Sequence, residues 1–194
     1  NDERQSYECS RSGCNKTKEL KKAGTLVTVK NYSGEYDGET HGITITRKEG
    51  ITDVKITYLN SNEYKDVTGG EQTVNYQIEK DGYAPTTGQA TVEIKPRTVK
   101  LNWGTSEFIY NGEEQVPVAE VENLVCGEGC FVTVGGAQSN VSNQAYTATA
   151  TGLTGTSNAN YKLPESAECM HEFKILPKEI TNEMAVINIS GDSI

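Results

Sequence analysis

Short runs in which apolar and polar residues alternate dominate this chain. Alternation with a period of two places one face of a β-strand on a core and the other in water. Turn-forming pairs such as Gly69-Gly70 and Asn111-Gly112 separate the runs. Short strands broken by turns every 8–12 residues or so are typical of a sandwich or barrel. The clearest runs are residues 26–30, 43–46, 54–58, 90–94, 131–134 and 146–150.

One stretch, residues 16–23, has a composition that could form a helix, and it precedes the strand-like runs. The remaining pattern predicts an all-β chain. Small antiparallel β-sandwiches, Ig-like in general plan, are the architecture that this pattern favours. A β-grasp-like unit is the alternative, but it requires a helix that the strand-rich part of the sequence does not offer.

The chain also repeats itself. A tyrosine-turn tripeptide occurs twice, 74 residues apart, and residues 73–76 match residues 147–150 at the same offset. Later matches drift to offsets of 78 for Tyr83 and Tyr161 and 81 for Pro96 and Pro177, as loop insertions would cause. Self-similarity at one period indicates tandem units of one fold. The two tripeptides are Tyr36-Asp37-Gly38 and Tyr110-Asn111-Gly112.

The repeat defines four predicted segments. A proline near the end of each unit limits the last strand to an edge or terminal position and stiffens the step to the next unit. We therefore expect two small sandwiches arranged end to end, with tyrosines at equivalent positions. The segments are an N-terminal cysteine-containing segment at 1–21, a first β-repeat at 22–98, a second at 99–180, and the start of a truncated third repeat at 181–194.

Charge and hydropathy exclude several classes of partner. The net charge is −9, whereas nucleic-acid binding depends on clustered Lys and Arg. The acidic residues are scattered, so they indicate solubility rather than a focused site. No apolar stretch approaches the roughly 20 residues of a membrane-spanning helix, so we expect no direct membrane insertion.

The residues offer little for catalysis. The two histidines, His41 and His171, stand in no recognisable serine or cysteine nucleophile motif. The lone Gly127-x-Gly129 is not followed by a helical pattern, so it does not predict a nucleotide-binding loop. Two thin repeats also leave little room for a catalytic cleft. We predict that the chain is not an enzyme and has no cofactor.

Both units resemble known families of bacterial surface-protein repeats. The first resembles a YDG repeat at residues 36–38, 41–43, 73–76 and 87–92. The second resembles an MBG repeat at residues 108–112, 121–125, 146–150 and 160–163. The resemblance implies a secreted modular protein of a bacterial cell surface or wall, and it carries no catalytic residues.

The resemblance further implies a spacer or stalk within an adhesin, with neighbouring repeats of the same polypeptide as partners. The alternative is a module that itself grips a host glycan or extracellular protein. Glycan binders stack sugar faces on exposed aromatic rings. Because the tyrosines occupy repeat-equivalent positions, Trp103 is the candidate ligand-binding residue. For both tyrosine-turn tripeptides we predict a structural turn, since Asp-Gly and Asn-Gly supply the positive φ that tight turns need.

The chain has five cysteines, and their spacing permits two small disulfides. Cys126 and Cys130 flank a three-residue loop between two strand-like runs, so we predict a disulfide across the hairpin. Cys9 and Cys14 could close a similar loop, which leaves Cys169 without a partner. An extracellular setting would permit both bonds.

Zinc is the alternative for some of these cysteines. Cys169 and His171 are two residues apart on a predicted strand, so their side chains should point to the same face. Zinc favours such ligands in tetrahedral sets. The complete set would be Cys126, Cys130, Cys169 and His171.

Overall fold

The computed structural model describes residues 4–7, 18–125 and 127–180, and this part of the chain is all-β. Within those residues the structure has no α-helix, and therefore none long and apolar enough to cross a membrane. The chain divides into two compact units between residues 97 and 98, next to the predicted boundary at 98/99. Two short 3-10 helices occur, Ala23–Leu26 in the first unit and Asn158–Asn160 in the second.

The first unit combines a two-stranded ribbon with a four-stranded sheet. β3 pairs antiparallel with β5, and the sheet has the order β4-β8-β7-β6. A separate pair, β1 with β2, precedes them. The strands are β1 (Arg4–Tyr7), β2 (Lys18–Lys21), β3 (Val27–Lys30), β4 (Tyr32–Glu35), β5 (Thr44–Arg47), β6 (Lys55–Tyr58), β7 (Gln72–Glu79) and β8 (Thr86–Lys95).

The second unit has the same plan. Its ribbon is β10 with β12, its four-stranded sheet has the order β11-β16-β14-β13, and β9 pairs with β15. The strands are β9 (Arg97–Thr98), β10 (Leu101–Trp103), β11 (Glu107–Ile109), β12 (Ala119–Val121), β13 (Phe131–Gly135), β14 (Tyr146–Thr154), β15 (Tyr161–Lys162) and β16 (Met170–Leu176).

Strand register confirms the repeat residue by residue. β4 lies parallel to β8 with Glu35 opposite Lys95, and β11 lies parallel to β16 with Ile109 opposite Leu176. The next N–H extends both ladders, from Tyr36 to the Lys95 carbonyl and from Tyr110 to that of Leu176, at 2.9 Å in each case. Tyr36 and Tyr110 therefore occupy equivalent positions.

The second tyrosine pair is also equivalent. The Tyr83 N–H donates to the Lys80 carbonyl, and the Tyr161 N–H donates to that of Asn158, so each tyrosine closes a turn of four residues. The carbonyl of the following residue then accepts a bond from the start of its own unit, from the Ala23 N–H in the first and the Val99 N–H in the second.

Each core lies between the ribbon and the sheet. In the first unit Val74 and Val92 of the sheet are fully buried and pack with Val29 and Ile45 of the ribbon. Their alternation along β7 and β8 points every second side chain inward, as the sequence pattern predicts. In the second unit the corresponding cluster centres on Phe173, which is 1% exposed.

Two expectations from sequence are wrong. Residues 18–21 form strand β2 rather than part of a helix over 16–23, because pairing with β1 overrides the local helix-forming composition. The sheets are mixed rather than antiparallel, since the first strand of each sheet pairs parallel to the last. A period of two reveals which face is buried, but it is the same for parallel and antiparallel neighbours. Residues 181–194, expected to begin a third repeat, lie outside the described residues.

Candidate functional site

Both tyrosine-turn tripeptides are turns held by their own side chains. The Asp37 Oδ1 accepts the Glu39 N–H at 2.9 Å, and the Asn111 Oδ1 accepts the Glu113 N–H at the same distance. Gly38 and Gly112 have φ of 83° and 85°, a conformation that favours glycine. The rings differ, because Tyr36 is 2% exposed whereas Tyr110 is 41% exposed. The tyrosine therefore anchors the turn in the core of the first unit only.

Beside the first turn lies a small polar group that the sequence analysis did not assemble. The His41 ring stacks on Tyr32, with centroids 4.2 Å apart and planes inclined by 12°. The His41 Nε2 lies 2.8 Å from the Asp37 Oδ1. A turn carboxylate, an imidazole and a phenol thus meet at one edge of the first unit.

The electrostatics of this group follow from its contacts. The hydrogen bond with His41 is the main reason that the pKa of Asp37 lies below its usual range, and the Glu39 N–H lowers it further. Burial raises the pKa of Tyr32, and the nearby Asp37 charge adds to the increase. Asp37 is therefore a carboxylate at neutral pH that orients His41.

Trp103, the candidate ligand-binding residue, belongs to the core of the second unit. Its ring stacks on His171 at a centroid distance of 5.0 Å and an angle of 6°, and it packs against the cluster around Phe173. The indole Nε1 is buried. One face of the ring is therefore covered by imidazole, and the N–H is turned away from solvent.

His171 also makes a contact that sequence spacing did not reveal. The Ser106 Oγ lies 2.9 Å from the His171 Nε2, although the two residues are 65 positions apart. An activated serine needs its histidine to be oriented by a third group and needs donors for the developing oxyanion. Of the described residues, none is recorded as a hydrogen-bond partner of the other His171 nitrogen. Ser106 and His171 therefore form a hydrogen-bonded pair that joins the residue before β11 to β16.

Two of the five cysteines, Cys130 and Cys169, lie among the described residues. Cys130 is 3% and Cys169 is 6% exposed, and both are free thiols in the structure. Burial raises the pKa of each, and nearby glutamates raise it further: Glu128 for Cys130, and Glu168 and Glu165 for Cys169. Both thiols should therefore be protonated and poorly reactive at neutral pH.

The disulfide hypotheses rest partly on residues outside the described ranges. Cys126, Cys9 and Cys14 all lie there, so the two pairings stay predictions. For the zinc set, Cys169 and His171 do point to the same inner face, as their spacing predicts. However, the described residues contain no cluster of three or more potential metal ligands. Cys130 precedes Phe131, which pairs with the last residue of β14, whereas the Cys169 carbonyl accepts the N–H of Ala150 in the middle of that strand.

Comparison with known proteins adds no identification. No protein-family model, curated protein or solved structure matches the chain.

Sequence analysis missed the contacts that depend on folding, namely Asp37 with His41 and Ser106 with His171. It also missed an apolar groove in the second unit. A signal for that groove was present, because aligning the two repeats sets Arg47 against Val121 and Lys55 against Phe131. Such charged-to-apolar changes at exposed positions indicate a surface that the two units do not share.

Proposed function

We propose that this chain is a pair of non-catalytic, load-bearing repeat modules that act as a spacer in an extracellular surface protein. The observation that carries the proposal is the parallel pairing of the first and last strands of each four-stranded sheet, β4 with β8 and β11 with β16.

This pairing determines how tension reaches the hydrogen bonds. Interstrand N–H···O=C bonds run across the strands. In a parallel pair, the N-terminal end of the first strand and the C-terminal end of the last strand lie at opposite ends of the pair. Tension on those ends therefore loads all the bonds between them together, in shear. Antiparallel neighbours pulled at their adjacent ends would instead separate one bond at a time.

The repeat supports the same function. Two units with one topology and matched registers repeat a strand framework without requiring a site that both share. The chemistry-bearing groups are not shared: Asp37 and His41 in the first unit correspond to Asn111 and Gln115 in the second. What the units have in common is their strand framework, which is the part that a spacer uses.

The finer architecture and the setting belong to this proposal as well. A ribbon and a sheet that share one core support a small sandwich, Ig-like in general plan, although its sheets are mixed. The resemblance to YDG and MBG repeats supports a place on a bacterial cell surface within an adhesin. Neighbouring repeats of the same polypeptide would then be the principal partners.

Single-molecule force spectroscopy tests the load-bearing role. Handles attached at N31C and K95C pull the β4–β8 pair from opposite ends, whereas handles at E39C and K95C pull it from the same end. We expect the opposite-end geometry to break at the higher force, because only that geometry loads the ladder in shear. Equal forces in the two geometries would remove the basis of the spacer proposal.

A second measurement separates the spacer from a glycan-binding module. We expect no retention of the full chain on a glycan array, since the Trp103 ring is stacked on His171 and its Nε1 is buried. Strong retention that is lost in W103F, but kept in the exposed-tyrosine control Y110F, would replace the spacer with a binding module.

A further inference from the structure

The second unit has an open groove of ≈ 380 Å³ between β12 and β13. In the described part of the chain, each of these strands has one strand neighbour, β10 for β12 and β14 for β13, so both stand at an edge. Two large apolar side chains flank the opening, Val118 at 65% and Phe131 at 66% exposed. The residues that line the groove include Val118, Glu120, Val121, Leu124, Cys130 and Phe131.

The first unit has the same edges, and there polar side chains cover them. By register, Arg47 corresponds to Val121, and its Nη2 donates to the Val54 carbonyl at 3.0 Å, which joins β5 to the start of β6. Lys55 corresponds to Phe131 and pairs with Glu79 across the strands at 2.9 Å. Charged side chains are a common means of protecting an edge strand from association.

The second unit lacks this protection while keeping the fold. Thr44 is replaced by Val118, Arg47 by Val121 and Lys55 by Phe131. The first unit shows that the framework does not need apolar residues at these positions. The position at the bottom of the groove is buried and apolar in both units, since Cys130 takes the position of the buried Val54. An exposed apolar edge of this kind indicates an interaction surface.

Charge identifies the class of occupant. Residues 98–180 contain ten Glu, four Lys and neither Arg nor Asp. Glu120 is exposed on the groove, the exposed Glu122 lies just beyond the end of β12, and among the described residues neither forms an ion pair. A second copy of this chain would bring another net charge of −9 to an acidic surface. A basic, apolar segment would satisfy both the groove and its charge.

We propose that the β12–β13 groove docks an extended segment of another protein in which apolar residues alternate with Lys or Arg. Its apolar side chains enter between Val118 and Phe131, and a basic side chain pairs with Glu120. Alternation suits this geometry, because an extended segment presents every second side chain to one face.

Fluorescence anisotropy on the full chain tests the proposal with two labelled nine-residue peptides, one of alternating valine and lysine and one of alternating valine and glutamate. We expect saturable binding of the lysine peptide, at least tenfold tighter than that of the glutamate peptide. F131K, which installs the residue of the first unit, should weaken lysine-peptide binding at least tenfold. E120Q should weaken it severalfold and reduce its dependence on salt.

Two variants keep the test decisive. I109E is the matched control, since Ile109 is 55% exposed on β11 and corresponds to Glu35 of the first unit; it should leave affinity within twofold. E120K should lower the preference for the lysine peptide and raise binding of the glutamate peptide, a gain that a misfolded chain cannot produce.

Four results would overturn the proposal. These are the absence of saturable lysine-peptide binding, equal binding of the two peptides, unchanged binding by F131K, and binding that appears only after residues 181–194 are deleted. The last result would assign the groove to the chain's own C-terminal segment. Sedimentation velocity supplies a fifth: self-association abolished by F131K would make a second copy the occupant.

Discussion

The two units share one framework but distribute side-chain volume across it differently. In the first, Tyr76 lies opposite Gly88, and a Cβ on that glycine would clash with the end of the tyrosine ring. In the second, the corresponding residues are Ala150 and Cys169, which both have small side chains. The Ala150 N–H donates a hydrogen bond to the Cys169 carbonyl. The first unit thus sets a large residue beside a glycine, whereas the second sets two small residues side by side.

The opposite change occurs one position along the sheet. Val29 and Ala90 pack in the first core, whereas Trp103 and His171 stack in the second. The inward pattern is retained while the individual residues and their sizes are not. The comparison teaches that register and alternation define this fold. Identity at a single core position does not, which is why the chemistry differs so freely between units.

The largest expected effect on stability concerns the core of the second unit, which includes Phe173. F173A should lower the free energy of unfolding of this unit by about 3–5 kcal/mol, because the buried ring contacts Phe108 and Tyr146. V92A, the matched change in the first unit, should cost about 2 kcal/mol. Trp103 is the only tryptophan, so its fluorescence during denaturant unfolding reports on the second unit.

The same measurement examines whether the units are independent. V92A should leave the midpoint of the Trp103 transition unchanged. An equal shift of that midpoint by V92A and F173A would show that the two units unfold in one cooperative transition. The free energies of unfolding of the two units could then not be compared separately.

The next effect concerns Tyr76 and Gly88. G88A should destabilise the first unit by about 1–3 kcal/mol, because the new Cβ displaces the Tyr76 ring. In a Y76A background the same change should cost close to nothing, since the pair then resembles Ala150 and Cys169. A double-mutant cycle by chemical denaturation measures this coupling. Additive costs would contradict compensation across the pair.

Exchanging the edge residues gives a smaller effect. R47V should cost about 1 kcal/mol, because it removes the hydrogen bond to the Val54 carbonyl. V121R should recover a stabilisation of similar or smaller size in the second unit, if its guanidinium reaches the Cys130 carbonyl. Thermal unfolding checks both variants. Destabilisation by V121R would show that the two edges differ in backbone as well as in side chains.

The smallest effect is a dependence on pH. The pKa of Asp37 is lowered in the folded protein, so its stabilising contribution is complete above the unfolded pKa of about 4 and is lost as pH falls through the folded value. Because the Asp37 side chain is 47% exposed and solvent screens the pair, we expect a contribution of less than about 1 kcal/mol. D37N, which copies Asn111, should keep the turn and abolish this pH dependence. Unfolding curves of the wild-type chain and D37N at pH values from about 2 to about 6, a range that brackets the titration of Asp37, give the comparison.

A loss of stability in D37N at every pH would instead mean that the carboxylate is needed for the turn itself. The Asn111 turn in the second unit argues against that outcome, since its amide oxygen accepts the Glu113 N–H at the same 2.9 Å distance.

Much of the fold could be predicted because it depends on local chemistry. Alternation at residues 90–94 and 146–150 indicated strands with a buried face, and these residues lie in β8 and β14. Asp-Gly and Asn-Gly predicted turns, which both tripeptides form. The shared offset predicted that Tyr36 and Tyr110 would be equivalent, and the strand register confirms it. In each case the signal and its structural consequence lie within a few residues of one another.

Local pattern by itself therefore determined an all-β chain of two repeats, each with an Asp-Gly or Asn-Gly turn. Tertiary structure alone decided that the first and last strands of each sheet are parallel, because alternation is identical for either direction of a neighbour. It also decided that Asp37 meets His41, that Ser106 meets His171 from 65 residues away, and that β12 and β13 leave a groove open. These contacts depend on which strands become neighbours, a choice made by the whole core rather than by any one segment.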